Sequence, residues 1–255
     1  MNPGDSSELN KIAKSVNSPV RSFIVANHPS LTNVGDAAIL VGLAELVRRR
    51  GDCIVTLMSL KPRVDSKRCS PSVRLVDARL SKSKRSALRV IESAAVMFQH
   101  FLAAFLLSKG LPFLSTKVRR KEILREYIRH ESVIIGTDDT LTSIYGPLFR
   151  SSWVDNFYTA VISSLLGKTI LVCSASVGPF RGLIERTIAK LILGKVHLFL
   201  LRESISRDNL REIGITGSHV IVAPDFGFLA PSASPNRIRE ILKENRLEDE
   251  GPLIG

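Results

Sequence analysis

Short apolar runs alternate with stretches of helical period along most of this chain. Phe23 to Ala26, Cys53 to Met58, Val73 to Val76, Val133 to Ile135, Thr169 to Ala175, Val196 to Leu201 and Val220 to Val222 read as strands. They are short, mainly apolar runs, as expected of the strands of a parallel sheet. Between them, Asp36 to Arg50 carries Ile39, Leu40, Leu43, Leu46 and Val47 on one helical stripe. Further helices are predicted over Ala87 to Leu107, Trp153 to Leu166, Leu183 to Leu193, Ser204 to Ile213 and Ser234 to Asn245. Gly51, Gly167, Gly194 and Gly214 punctuate helix ends, and Ser204 or Ser206 suits an N-cap. Strand and helix in alternation predict an α/β fold, a Rossmann-like parallel sheet with flanking helices. Lys61 to Ser72 reads as a basic loop with two prolines.

Turns after the strand ends of such a sheet gather on one edge, where ligands bind. The polar chemistry of the chain falls in those turns. Asn33-Val34-Gly35-Asp36 opens a helix, where free N–H groups and the helix dipole receive anions; a plain N-cap is the competing reading. Gly136 precedes Asp138 and Asp139, adjacent carboxylates suited to general base work, to holding sugar hydroxyls or a cation, or to capping a turn. Ser176 and Gly178 follow a strand with an open backbone. Arg202, emerging from an apolar run beside Glu203, is costly unless paired or reaching into a cleft. Asp225 stands at another strand end.

Composition narrows the function classes. At 44% hydrophobic and 24% charged the chain is an ordinary globular protein. Cys53, Cys69 and Cys173 lack metal or disulfide spacing, which fits a reducing, cytoplasmic setting. No histidine pair has metal-ligand spacing: His28 lies in a polar loop, His100 within an apolar helix, and His197 and His219 begin strands at the far edge. Ser176 lacks the Gly-x-Ser-x-Gly order of a nucleophile elbow. Neither a Walker A sequence nor a dinucleotide fingerprint occurs, so no metal or cofactor is expected. The net charge of +12 suits anionic substrates or membrane surfaces. Nucleic acid is not expected, because aromatics do not interleave with the basic runs.

Ala94 to Leu107 is apolar apart from Gln99 and His100, too short and too polar at its middle for the about 18 residues of a spanning helix. Two readings stand. One is a core helix, which is preferred; the other is a membrane-surface helix with Lys82, Lys84, Arg85, Arg89 and Lys109 at lipid headgroups, giving peripheral contact with the inner face of a membrane.

Taken in order, five segments resemble the polysaccharide pyruvyl transferase family. They are Asn33-Val34-Gly35-Asp36-Ala37-Ala38-Ile39, Val133-Ile134-Ile135-Gly136, Ser176-Val177-Gly178-Pro179-Phe180, Arg202-Glu203-Ser204-Ile205-Ser206 and Val222-Ala223-Pro224-Asp225. The resemblance implies a half of a GT-B-like fold, with two Rossmann-like domains facing a cleft. It implies transfer of pyruvate, as a ketal, from phosphoenolpyruvate to paired hydroxyls of a cell-surface polysaccharide or its lipid-linked precursor. It then implies Asp138 or Asp139 as the base, with Asn33, Gly35, Asp36, Gly136, Ser176, Gly178, Arg202 and Asp225 binding substrate. Two departures stand out: Gly136-Thr137-Asp138 replaces a Gly-Gly-Gly-like turn, and no Arg-x-His motif for phosphoenolpyruvate is present. The expected organisation is a tail over residues 1–20, a Rossmann-like domain over 21–250, and the opening of an absent second domain at 251–255, with little activity from this chain alone. Two rival readings are a nucleotide-sugar glycosyltransferase and a non-catalytic binding module.

Overall fold

The computed structural model describes residues 22–28, 31–49, 53–69, 73–83, 85–111, 118–135, 141–142, 151–245 and 247. Seven strands form one all-parallel sheet: β1 (Ser22–His28), β2 (Ile54–Ser59), β3 (Val73–Asp77), β4 (Ser132–Ile135), β5 (Thr169–Ala175), β6 (Leu198–Leu201) and β7 (Val220–Val222), in the order β3-β2-β1-β4-β5-β6-β7. This is the doubly wound arrangement, and the Rossmann-like α/β expectation holds. The strand order reverses between β1 and β4, so a crevice opens outside their carboxyl ends.

Side chains alternate across the sheet with period two and feed two cores. Ile24, Ala26, Val133, Ile135, Ile170, Val172 and Phe199 enter the larger one. It is covered by α3 (Ser86–Ser108), α4 (Lys121–Arg129), α5 (Ser151–Leu165), α6 (Gly182–Leu193) and α7 (Ser204–Glu212). Val25, Val55, Leu57, Ile134 and Cys173 enter the smaller one, covered by α1 (Val34–Arg48) and a 3-10 turn, Phe226–Leu229. Burial on both faces explains why central strands such as β4 and β5 read as apolar runs, whereas the edge strands β3 and β7 stay partly exposed. It also pushes the Cys173 thiol up to about 12, so this cysteine is an inert filler.

The smaller core closes tightly because Gly42 on α1 has no side chain. A Cβ there would lie 1.8 Å from the carbonyl oxygen of Phe226. This close approach fixes the 3-10 turn across the first half of α1, with Gly227 facing Ala38 and Ile39.

Several expectations change. Within the supposed basic loop 61–72, Pro62–Asp65 forms a short helix, α2, started by Pro62 at its first position. Asp65 is buried and accepts hydrogen bonds from Leu31 N (2.9 Å) and Ser59 Oγ (2.5 Å), fastening the loop after β1 to the end of β2. Helix α4, which the sequence reading did not predict, has Ile123, Leu124 and Tyr127 buried. His28 ends β1 and so is not a loop residue. A last helix, α8 (Pro235–Glu244), is capped by Ser234, whose Oγ accepts from Arg237 N at 3.2 Å.

Candidate functional site at the carboxyl edge of the sheet

Parallel strands bring the loops after β5, β6 and β7 side by side at one rim, and Arg202 joins all three. Its Nε donates to Ser176 Oγ at 2.8 Å. The same guanidinium lies 3.5 Å from Glu203 Oε2 and 3.7 Å from Asp225 Oδ2. Arg202 is partly exposed, with 28% of its side chain open to solvent. It is therefore both paired and turned toward the rim, which offsets the cost of a cation at the end of a buried strand.

The Ser176–Gly178 segment is fixed through its backbone. Val177 N donates to Ser206 Oγ (2.8 Å), and Asn209 Nδ2 donates to the Val177 carbonyl (2.7 Å). Gly178 N donates to the Leu141 carbonyl at 3.1 Å, which ties the loop after β5 to that after β4. Gly178 has φ +73°, and a Cβ on it would lie 2.7 Å from Asn209 Cβ. Only glycine fits this turn. Ser206 does not cap α7; Glu203 occupies the N-cap position, and Ser206 Oγ donates to Glu203 Oε1 at 2.5 Å. The hydroxyl thus braces the partner of Arg202.

Ser174, two residues earlier, takes φ +53° at a bulge where the β5–β6 register shifts. A left-handed serine costs about 1–2 kcal/mol. Its Oγ accepts from Phe226 N at 2.8 Å, which helps offset that cost and anchors the 3-10 turn to β5. Asp225 caps this turn, accepting from Gly227 N at 2.7 Å. Phe226 and Gly227 in turn rest on α1, so Asp225 and the amino end of α1 share one stretch of rim.

At that amino end Asn33 is the N-cap, its Oδ1 accepting from Gly35 N at 3.0 Å. The motif is therefore an N-cap, made by Asn33 and not by the Asp36 carboxylate, with Gly35 exposed and Asp36 buried in the first turn. Of the expected site residues, Ser176, Gly178, Arg202 and Asp225 come together, and Asn33, Gly35 and Asp36 adjoin them across the 3-10 turn. Gly136, Asp138 and Asp139, which follow β4 at the switch point, lie outside the described residues. Among the described residues no group of three or more His, Cys, Asp or Glu is placed to hold a metal ion.

A feature the sequence did not disclose lies further along the same edge. A cleft of about 930 Å³ opens beyond β2 and β3, lined by Leu60, Arg79, Ser81, Lys82, Arg89 and Asp155 among others. Arg79 grips Asp77 with two bonds, 2.9 and 2.8 Å. Burial raises the Asp77 pKa, but Arg79 and Arg120 outweigh it and hold the carboxyl below its usual range. Asp155, on α5, is instead pushed up to about 7 by burial. The signal available in sequence was one carboxylate on a helix otherwise dominated by Val154, Phe157, Tyr158, Val161 and Ile162. Exposed apolar side chains also stand around the rim: Val34 (78%), Leu183 (83%), Ile205 (68%) and Phe228 (84%).

The doubly wound sheet thus gathers Arg202, Ser176 and Asp225 at its carboxyl edge, the place where open α/β sheets bind ligands. The model of one family, polysaccharide pyruvyl transferase, matches residues 33–253, and the chain belongs to that family. It is 26% identical over 215 residues to the amylovoran biosynthesis protein AmsJ of Erwinia amylovora, covering 82% of this chain and 49% of AmsJ. The chain thus spans about half the length of that relative. Among solved structures it is similar to a glycosyltransferase from Rickettsia africae (TM-score 0.49, 12% identity, 91% of this chain and 50% of that one). It is also similar to a UDP-N-acetylglucosamine 2-epimerase (TM-score 0.46, 11% identity, 88% and 61%).

Proposed function

We propose that the rim forms one wall of a site that transfers pyruvate from phosphoenolpyruvate to a sugar of a cell-surface polysaccharide or its lipid-linked precursor. The carrying observation is Arg202, which holds the ends of β5, β6 and β7 together within the segment matched by the family. In the proposed reaction a first sugar hydroxyl adds to C2 of phosphoenolpyruvate while C3 takes a proton. A second hydroxyl then forms the other C–O bond and inorganic phosphate leaves. The product is a ketal.

Asp138 or Asp139 accepts the hydroxyl proton in this reading. Ser176 and Asp225 face the acceptor, and Arg202 fixes both while adding positive charge near the departing phosphate. Asn33, Gly35 and Asp36 border the crevice, and Gly136 is assigned to substrate binding from its sequence motif alone. The exposed apolar collar of Val34, Leu183, Ile205 and Phe228 supports a second wall closing over this edge, since solvated apolar patches mark contact surfaces. Neither a metal nor a cofactor enters the reading.

The test is acceptor-dependent release of phosphate from phosphoenolpyruvate by the gene product that carries this chain, with the ketal detected on the glycan. Turnover of a nucleotide sugar without use of phosphoenolpyruvate would instead assign a glycosyltransferase.

A further inference from the structure

Helix α3 presents an apolar stripe to solvent. Ile91, Ala95, Phe98, Leu102 and Phe105 recur at spacings of four and three, so they stand one above another on a single face. Ile91 is 66% exposed and Phe98 70%. The opposite face, with Val96, His100, Ala103 and Ala104, is buried in the larger core. The helix is therefore already docked through one side, and the stripe is the other side.

Residues 87–108 are long and apolar enough to cross a membrane by length and composition, contrary to the sequence expectation, and little of that stretch is buried. Spanning is opposed by His100, which bonds Tyr158 Oη at 2.6 Å and the Arg119 carbonyl at 2.9 Å. Burial lowers the pKa of this histidine, so it sits neutral in the fold. Crossing would tear these contacts apart; lying on a surface keeps them.

The border of the stripe is basic. Arg85 stands at the amino end of the helix, while Lys82 and Arg89 line the neighbouring cleft with Ser93 and Met97. Lys109 closes the carboxyl end, with its ammonium 5.8 Å over the Phe105 ring. Lys121 and Arg125 are exposed on α4, which follows directly on Arg119, whose N donates to Gln99 Oε1 at 3.2 Å. The carboxylates of α3 and α4 are all engaged. Glu92 accepts from Ser81 Oγ (2.5 Å), Glu122 lies 3.0 Å from Arg120, and Glu126 pairs with Arg74 at 2.8 Å.

We propose that α3 seats the protein on an anionic phospholipid surface, with the stripe among the acyl–headgroup boundary and the bordering cations on headgroup phosphates. An apolar helix face edged by Lys and Arg is the composition such surfaces hold, and each cation adds about 1 kcal/mol near an anionic leaflet. A second copy of the chain is a poorer occupant, because it would bring two basic borders against each other.

The experiment is co-sedimentation of the full chain with phosphatidylcholine vesicles, with and without phosphatidylglycerol, across a salt series. Binding is expected only with phosphatidylglycerol and is released by salt. Phe98→Glu and Lys109→Glu, both at exposed positions, are each expected to lower the partition coefficient roughly tenfold, with unchanged melting temperature. Absence of pelleting by the parent chain would overturn the proposal, and so would undiminished pelleting of Phe98→Glu. A concentration-dependent dimer that Phe98→Glu dissociates, without vesicle binding, would overturn it in favour of a second copy. Phosphoenolpyruvate and acceptor are left out, so failure here is distinct from failure of the transfer reading.

Discussion

Arg202 Nε donates to Ser176 Oγ at 2.8 Å, across the carboxyl ends of neighbouring strands β5 and β6. The two residues are 26 positions apart in sequence, and the parallel register alone makes them neighbours. Around this bond Glu203, Ser206 and Asp225 complete a network that spans three loops. A network of this kind fixes donors and acceptors before a substrate arrives, which is what lets a rim of short loops act as a site.

Ser206 is the concealed support of that network, 1% exposed and bonded on both sides. Ser206→Ala leaves Val177 N buried without its acceptor, a cost of about 1–3 kcal/mol. Thermal unfolding should show a fall of roughly 2–4 °C for each kcal/mol. An unchanged melting temperature would mean that the two bonds add nothing to the fold.

Gly42→Ala sets two effects against each other. Alanine favours a helix by about 1 kcal/mol over glycine. Its Cβ would, however, stand 1.8 Å from the Phe226 carbonyl oxygen. Overpacking of this kind costs about 1–3 kcal/mol or more, so the clash wins. The variant should melt lower and lose protection of the Phe226–Leu229 amides in hydrogen exchange.

Asp155 carries a signed pH prediction. Its pKa rises from 3.8 to about 7 on folding, so between those values the folded chain holds a proton that the unfolded chain has lost. Stability from this group is full below about pH 4 and is lost as pH climbs through 7. Asp155→Asn removes the effect. The melting-temperature difference, variant minus parent, should therefore grow from pH 4 to 7 and then level off. Buried His100 and His130, whose pKa values fall below 6.5 on folding, destabilise both proteins as pH drops under 6.5 and cancel in that difference.

Much of the architecture could be read from residues because strands covered on both faces leave continuous apolar runs, as at Thr169–Ala175. Arg202 was legible for the same reason: a cation ending an apolar strand must have a partner. Helix α4 was obscured by its charges, which drew attention away from Ile123, Leu124 and Tyr127. Asp65 and Ser174 were not legible at all, and Ser206 was legible only as a candidate N-cap, not as the acceptor for Val177 N. Each is a small polar residue whose importance arises only when packing removes water and supplies one backbone partner. The stripe on α3 could be read as apolar, but which of its faces is buried depends on Tyr158 and Arg119, distant in sequence.

Arg202 ties the ends of β5, β6 and β7 together, and in the proposed function these ends are one wall of a pyruvyl transfer site. The most direct test compares ketal formation by Arg202→Ala with that by Arg207→Ala, an exposed control on α7, in the gene product that carries this chain. Loss of the network should slow transfer roughly a hundredfold in Arg202→Ala, with the control unchanged and both variants folded. Equal rates in parent, Arg202→Ala and control would contradict the account.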